Sequence, residues 1–67
     1  EIASLISDFL RRQAQESRVF FLRRYWYGQS LSEIAEALGC GEGKVKSALF
    51  RTRKALRVYL EQEEVLL

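Results

Sequence analysis

The densest chemistry in this sequence lies between residues 42 and 57, where Lys44, Lys46, Arg51, Arg53, Lys54 and Arg57 stand against a single acid, Glu42. Ammonium and guanidinium groups at this density form the footprint of a phosphate-binding surface, because a polyanion gives up its counterions to them. Their spacing adds a second property. At about 100° per residue, Lys46, Ser47, Phe50, Arg51, Arg53, Lys54 and Arg57 fall on one side of a helix. Val45, Leu49, Thr52, Leu56, Tyr59 and Leu60 fall on the other, flanked by Ala48. One side packs and the other presents cations.

Within the cationic side, Lys46, Ser47, Phe50 and Arg51 occupy the first turns. Lysine and arginine pair with guanine edges, serine with several edges, and an apolar ring with a thymine methyl. Arg53, Lys54 and Arg57 lie further along and suit phosphates, which position a helix without reading sequence. Gly43, in the first turn, lets backbone amides approach a phosphate closely. Two competing readings stand next to these. Phe50 packs back onto the first or second helix, and the cationic face is a solvated surface that binds nothing.

Other chemistries lack their parts. The chain has no histidine and one cysteine, Cys40, so neither a protein-ligated zinc site nor an internal disulfide is expected. No nucleophile–base pair and no phosphate-loop motif appears, so the chain does not read as an enzyme, and no cofactor is expected. No apolar run approaches the ~20 residues of a membrane span, and there is no signal-peptide pattern. The lone cysteine suits a reducing compartment, so a cytoplasmic location is expected. Cys40 itself reads as a small apolar residue buried at a turn.

The net charge of +2 hides how unevenly charge is spread. Before Glu42, five arginines balance five acids; after Arg57, Glu61, Glu63 and Glu64 bring back negative charge. The positive field therefore belongs to one segment.

The elements that must hold that segment read as all-α. Proline is absent, and the four glycines stand at 28, 39, 41 and 43, so long stretches run without a breaker. Ile2, Leu5, Ile6, Phe9 and Leu10 recur at the spacing of one helical face, predicting a helix over about 2–13. A second helix is expected over about 16–27, stopped by Gly28 in a left-handed conformation. Val19, Phe20, Phe21, Leu22, Tyr25, Trp26 and Tyr27 make it apolar almost all round, so it belongs mid-fold with Trp26 and the tyrosines in the core. Ser30-Leu31-Ser32-Glu33 fits a capping box and opens a third helix over 31–38, whose inner face is Leu31, Ile34, Ala35 and Leu38. A fourth helix is expected over 42–60.

Two short helices joined by a glycine-containing turn are the helix-turn-helix layout, in which the second helix enters the major groove. Small Ala35 suits the close crossing. Ile34, Leu38, Cys40, Val45 and Ala48 are the positions that lock the pair, and Gly39 suits a positive φ at the turn. The 67 residues are expected to make one domain. A chain with no methionine anywhere reads as a fragment of a longer protein.

These residues also resemble a known family. Arg18-Val19-Phe20 through Tyr25-Trp26-Tyr27-Gly28, Ser30 to Ala35, Gly43 to Ser47, and Arg51 to Leu56 are similar to region 4 of bacterial RNA polymerase sigma factors, most closely the extracytoplasmic-function type. The resemblance runs from about Arg18 to Leu60. It implies a four-helix domain that recognises the promoter −35 element in double-stranded DNA and so directs transcription initiation. It also implies docking on the flap of the polymerase β subunit and, in many members, capture by an anti-sigma factor. Carried over position by position, Lys46, Ser47, Phe50 and Arg51 match the family's base-facing residues, and Gly43, Lys44 and Arg53 its backbone-facing ones. Three departures stand out. Gln13-Ala14 replaces a frequent Leu-Pro pair, Gly41 replaces a capping serine, and Ala48 stands where many members carry arginine.

Two other readings differ in class. The effector domain of LuxR-type response regulators has a similar layout but dimerises through its last helix, whereas a monomer is expected here. A helical interaction module would instead use the basic helix, or the apolar end Val65-Leu66-Leu67, to dock on a protein partner without touching DNA.

Overall fold

Local capping chemistry sets the element boundaries. The structure, a computed structural model, describes residues 1–63. Its elements are α1 (Ile2–Arg11), α2 (Gln15–Tyr25), α3 (Leu31–Leu38) and α4 (Glu42–Gln62), with no strand among the described residues. The fold is all-α with a helix-turn-helix formed by α3 and α4. The 65–67 segment singled out above for docking lies outside the described residues.

α3 has the sharpest start. The Glu33 amide donates to the Ser30 hydroxyl at 3.0 Å and the Ser30 amide donates to the Glu33 carboxylate at 2.8 Å, so the expected capping box is complete. α3 ends at Gly39, whose φ of +68° matches the left-handed turn expected there, and the Cys40 amide donates back to the Ala35 carbonyl. Gly41 is the N-cap of α4, which begins at Glu42 without a side-chain cap.

Four boundaries differ from the sequence reading. α1 stops at Arg11, because the Arg12 and Gln13 amides turn back to the Phe9 and Leu10 carbonyls in tight i→i−3 bonds. α2 starts at Gln15 and stops at Tyr25, two residues short of the expected end. The Trp26 and Tyr27 amides both donate to the Leu22 carbonyl, and Gly28 then takes φ +69°. α4 runs two residues past Leu60 to Gln62, supported by an Arg57–Glu61 pair at 3.7 Å.

The core is small. Phe20, Ile34, Ala35, Val45, Ala48 and Leu49 form one buried cluster, with Phe21, Leu31 and Cys40 packed at its margin. α4 packs against each of the other three helices, and α2 also meets α3. α1 joins through its second half. Phe9 and Leu10 are buried, the Phe9 ring lies 5.5 Å from that of Tyr59, and Arg18 donates to the Leu10 carbonyl at 3.4 Å.

The expectation that α2 is enveloped is corrected. Phe20 is its one buried residue, while Trp26 and Tyr27 are 78% and 70% exposed and Tyr25 is 47% exposed. The helix closes at Tyr25, so Trp26 and Tyr27 leave along the loop instead of continuing the buried face. Leu38, the last residue of α3, is likewise exposed at 39%. Cys40 is half-buried, less covered than its reading as a core residue required.

Candidate nucleic-acid interface

The packing of α4 decides what it shows. Val45, Ala48, Leu49, Thr52 and Leu60 are buried, and Leu56 and Tyr59 are half-buried. Thr52, the polar residue in this stripe, donates its hydroxyl to the Ala48 carbonyl at 2.8 Å and so carries no unmet polarity into the core. With that stripe inward, Lys46, Ser47, Phe50, Arg51, Arg53, Lys54 and Arg57 are all exposed. Phe50 is 59% exposed. The reading in which it packs back onto α1 or α2 is therefore not the arrangement adopted; the ring stands in solvent between cations.

Gly43 and Lys44 lie in the first turn of α4 and are also exposed. A side chain built at Gly43 would meet nothing within 4 Å, so this part of the helix start is open on its outer side. Lys44 is engaged. Its ammonium lies 3.0 Å from the Glu16 carboxylate of α2. The side-chain hydrogen bond to Glu16, then the attraction of its charge, holds the lysine pKa above the ordinary 10.5.

Arg53 is engaged as well, donating to the Tyr25 hydroxyl at 3.1 Å. Both contacts join α2 to α4, and each residue of the second stands nine positions after its counterpart in the first. Nine residues are half a turn out of phase, so Lys44 and Arg53 reach α2 from opposite edges of the buried stripe of α4, about 13 Å apart along the helix. Arg57 pairs with Glu61. Lys46, Arg51 and Lys54 have no ion pair among the described residues.

Sequence reasoning missed both cross-helix contacts. Neither leaves a local signal, since the partners stand in different elements. Arg23 and Arg24 stand in the last turn of α2. They hold the α2–α3 loop, with Arg23 donating to the Gln29 side-chain oxygen at 3.2 Å and Arg24 to the Gln29 carbonyl at 2.9 Å. Arg24, Tyr25, Lys46 and Arg53 then line one cleft beside α4.

A second surface lies away from this face. Ile6 and Leu10 of α1, with Phe21, Leu22 and Trp26 from α2 and its end, line an open groove whose walls are mostly apolar. No helix is long and apolar enough among the described residues to cross a membrane.

Comparison with known proteins agrees with the geometry. Residues 11–56 match the family model described as sigma-70, region 4. The chain is 41% identical over 58 residues to a Mycobacterium tuberculosis protein named ECF RNA polymerase sigma factor SigL, covering 87% of this chain and 33% of the relative. It is 37% identical over 62 residues to the RNA polymerase sigma-E factor of Streptomyces avermitilis, covering 92% of this chain and 35% of the relative. The Streptomyces antibioticus protein of the same name is 36% identical over 62 residues, with 92% and 34% covered. The chain thus spans about a third of the length of these relatives.

Proposed function

This chain belongs to the sigma-70 region 4 family, and on that premise we propose that it binds duplex promoter DNA at the −35 element, with α4 laid in the major groove. Lys46, Ser47, Phe50 and Arg51 read base edges. Gly43, Lys44, Arg53, Lys54 and Arg57 hold the backbone on either side. The observation that carries this reading is the exposure of Lys46, Ser47, Phe50 and Arg51 on the side of α4 opposite its buried stripe. An apolar ring that stands among cations on the outward side suits contact with a thymine methyl. Phosphate pairing supplies affinity, and the few base contacts supply preference.

Core RNA polymerase, through its β flap, is the protein partner in this reading, and an anti-sigma factor is a regulator that competes for the domain. The mostly apolar groove of Ile6, Phe21, Leu22 and Trp26 supports contact with a protein, since it leaves the basic face free for DNA.

The test is a selection from random duplexes by RNA polymerase reconstituted with the full-length parent protein. A consensus at the upstream promoter element supports the proposal, and enrichment without any consensus there overturns it. In the same assay, Lys46→Ala or Arg51→Ala costs ~1–3 kcal/mol on the preferred site and relaxes preference at one position. An equal loss on every duplex would remove the base-reading assignment.

A further inference from the structure

We propose that Tyr25, on α2, is a positioning residue of the DNA-binding face: its hydroxyl fixes the Arg53 guanidinium for a backbone phosphate and offers its own proton to the same phosphate. The inference rests on the DNA-binding reading above and extends it from the recognition helix onto α2.

The chemistry follows from the direction of one hydrogen bond. A guanidinium only donates, so in the 3.1 Å contact Arg53 Nη1 donates and the Tyr25 oxygen accepts. The phenolic proton is thereby left unused and directed elsewhere. A phosphate oxygen is the acceptor it fits, since the charged residues lining the cleft, beside Leu31 and Leu49, are Arg24, Lys46 and Arg53. Three cations around one neutral O–H donor make a seat for an anion.

The placement of Tyr25 is held from behind. Its ring packs against Phe21 at 4.9 Å between centroids, and Phe21 in turn lies against the buried cluster. The ring is 47% exposed, so the hydroxyl reaches the surface from a fixed base. An arginine otherwise free in solvent loses rotamer entropy on clamping a phosphate. A partner that already holds it lowers that loss.

The test is a double-mutant cycle on the chain, using Tyr25→Phe, Arg53→Ala and both together. It reads binding to a short labelled duplex of mixed sequence across a salt series, with thermal melts run alongside. Tyr25→Phe keeps the ring and removes only the hydroxyl. It is expected to weaken binding about two- to fivefold, the size of one exposed hydrogen bond, and to leave the melting temperature unchanged. The loss is expected to shrink in the Arg53→Ala background, because the two groups act as a unit. Full affinity in Tyr25→Phe, or an undiminished loss beside Arg53→Ala, overturns the proposal while the DNA reading stands, provided Lys54→Ala still weakens binding and flattens its salt dependence. A wild-type chain whose affinity for the duplex does not change with salt overturns both.

Discussion

Among single residues, the contact between Glu16 and Lys44 gives the candidate interface a testable electrostatic feature. The carboxylate occupies an ammonium assigned here to the DNA backbone. Both groups are more than half exposed, so the pair contributes little to stability and yields readily to a competing phosphate. Glu16→Gln removes the internal competitor and a repelling charge. Binding to a duplex is expected to tighten, and the fall of log K with log salt to steepen by up to ~0.9, the increment for one added phosphate contact. Unchanged affinity and slope in a salt titration would place Lys44 off the backbone. The pH behaviour follows from the raised lysine pKa. A group whose folded pKa is raised contributes fully below its ordinary value of 10.5 and loses that contribution as pH climbs through the raised one. The pair is therefore intact at neutral pH, and strongly alkaline solution dissolves it from the lysine side.

At the level of elements, the two ends of α3 decide how α4 is aimed, and each end rests on one residue type. Ser30 supplies the hydroxyl half of the capping box. Ser30→Ala is expected to lower stability by ~1 kcal/mol in denaturant titration, whereas Ser32→Ala, an exposed neighbour without a capping role, is expected to change it little. Gly39 supplies the left-handed turn. A Cβ there meets nothing within 4 Å, so the penalty of Gly39→Ala is purely conformational, about 1–2 kcal/mol. Urea melts check both. A neutral Gly39→Ala would mean that the turn relaxes to negative φ, and α4 would then leave α3 at another angle.

For the whole molecule, a single cluster carries the fold. Ile34 and Val45 are completely buried and Phe20 nearly so, and they come from three different helices. A domain of this length has a stability on the order of 5 kcal/mol, and Ile34→Ala removes ~2–5 kcal/mol by leaving a cavity. The variant is expected to keep only a small part of that stability and to melt at a much lower temperature by circular dichroism. Trp26→Ala is expected to leave the melting temperature nearly unchanged, because the indole is exposed. If it instead destabilises the chain as strongly as Ile34→Ala, the groove beside it is part of the core. Sedimentation velocity reports association at this scale, and a single monomeric species is expected.

Sequence alone determined what depends on near neighbours. The capping box, the glycine turn after Leu38 and the division of α4 into packed and cationic sides all follow from residues within a few turns of one another, where helical geometry fixes which side chains share a face. The tertiary structure decided what depends on partners far along the chain. Apolarity read along α2 placed Trp26 and Tyr27 inside, yet among the described residues no element covers them, so they stand in solvent. The exposure of Phe50, the clasp between Tyr25 and Arg53 and the diversion of Lys44 to Glu16 came from the same source. Periodicity states which way a residue points on its own helix, and only the docking of helices states what it meets there.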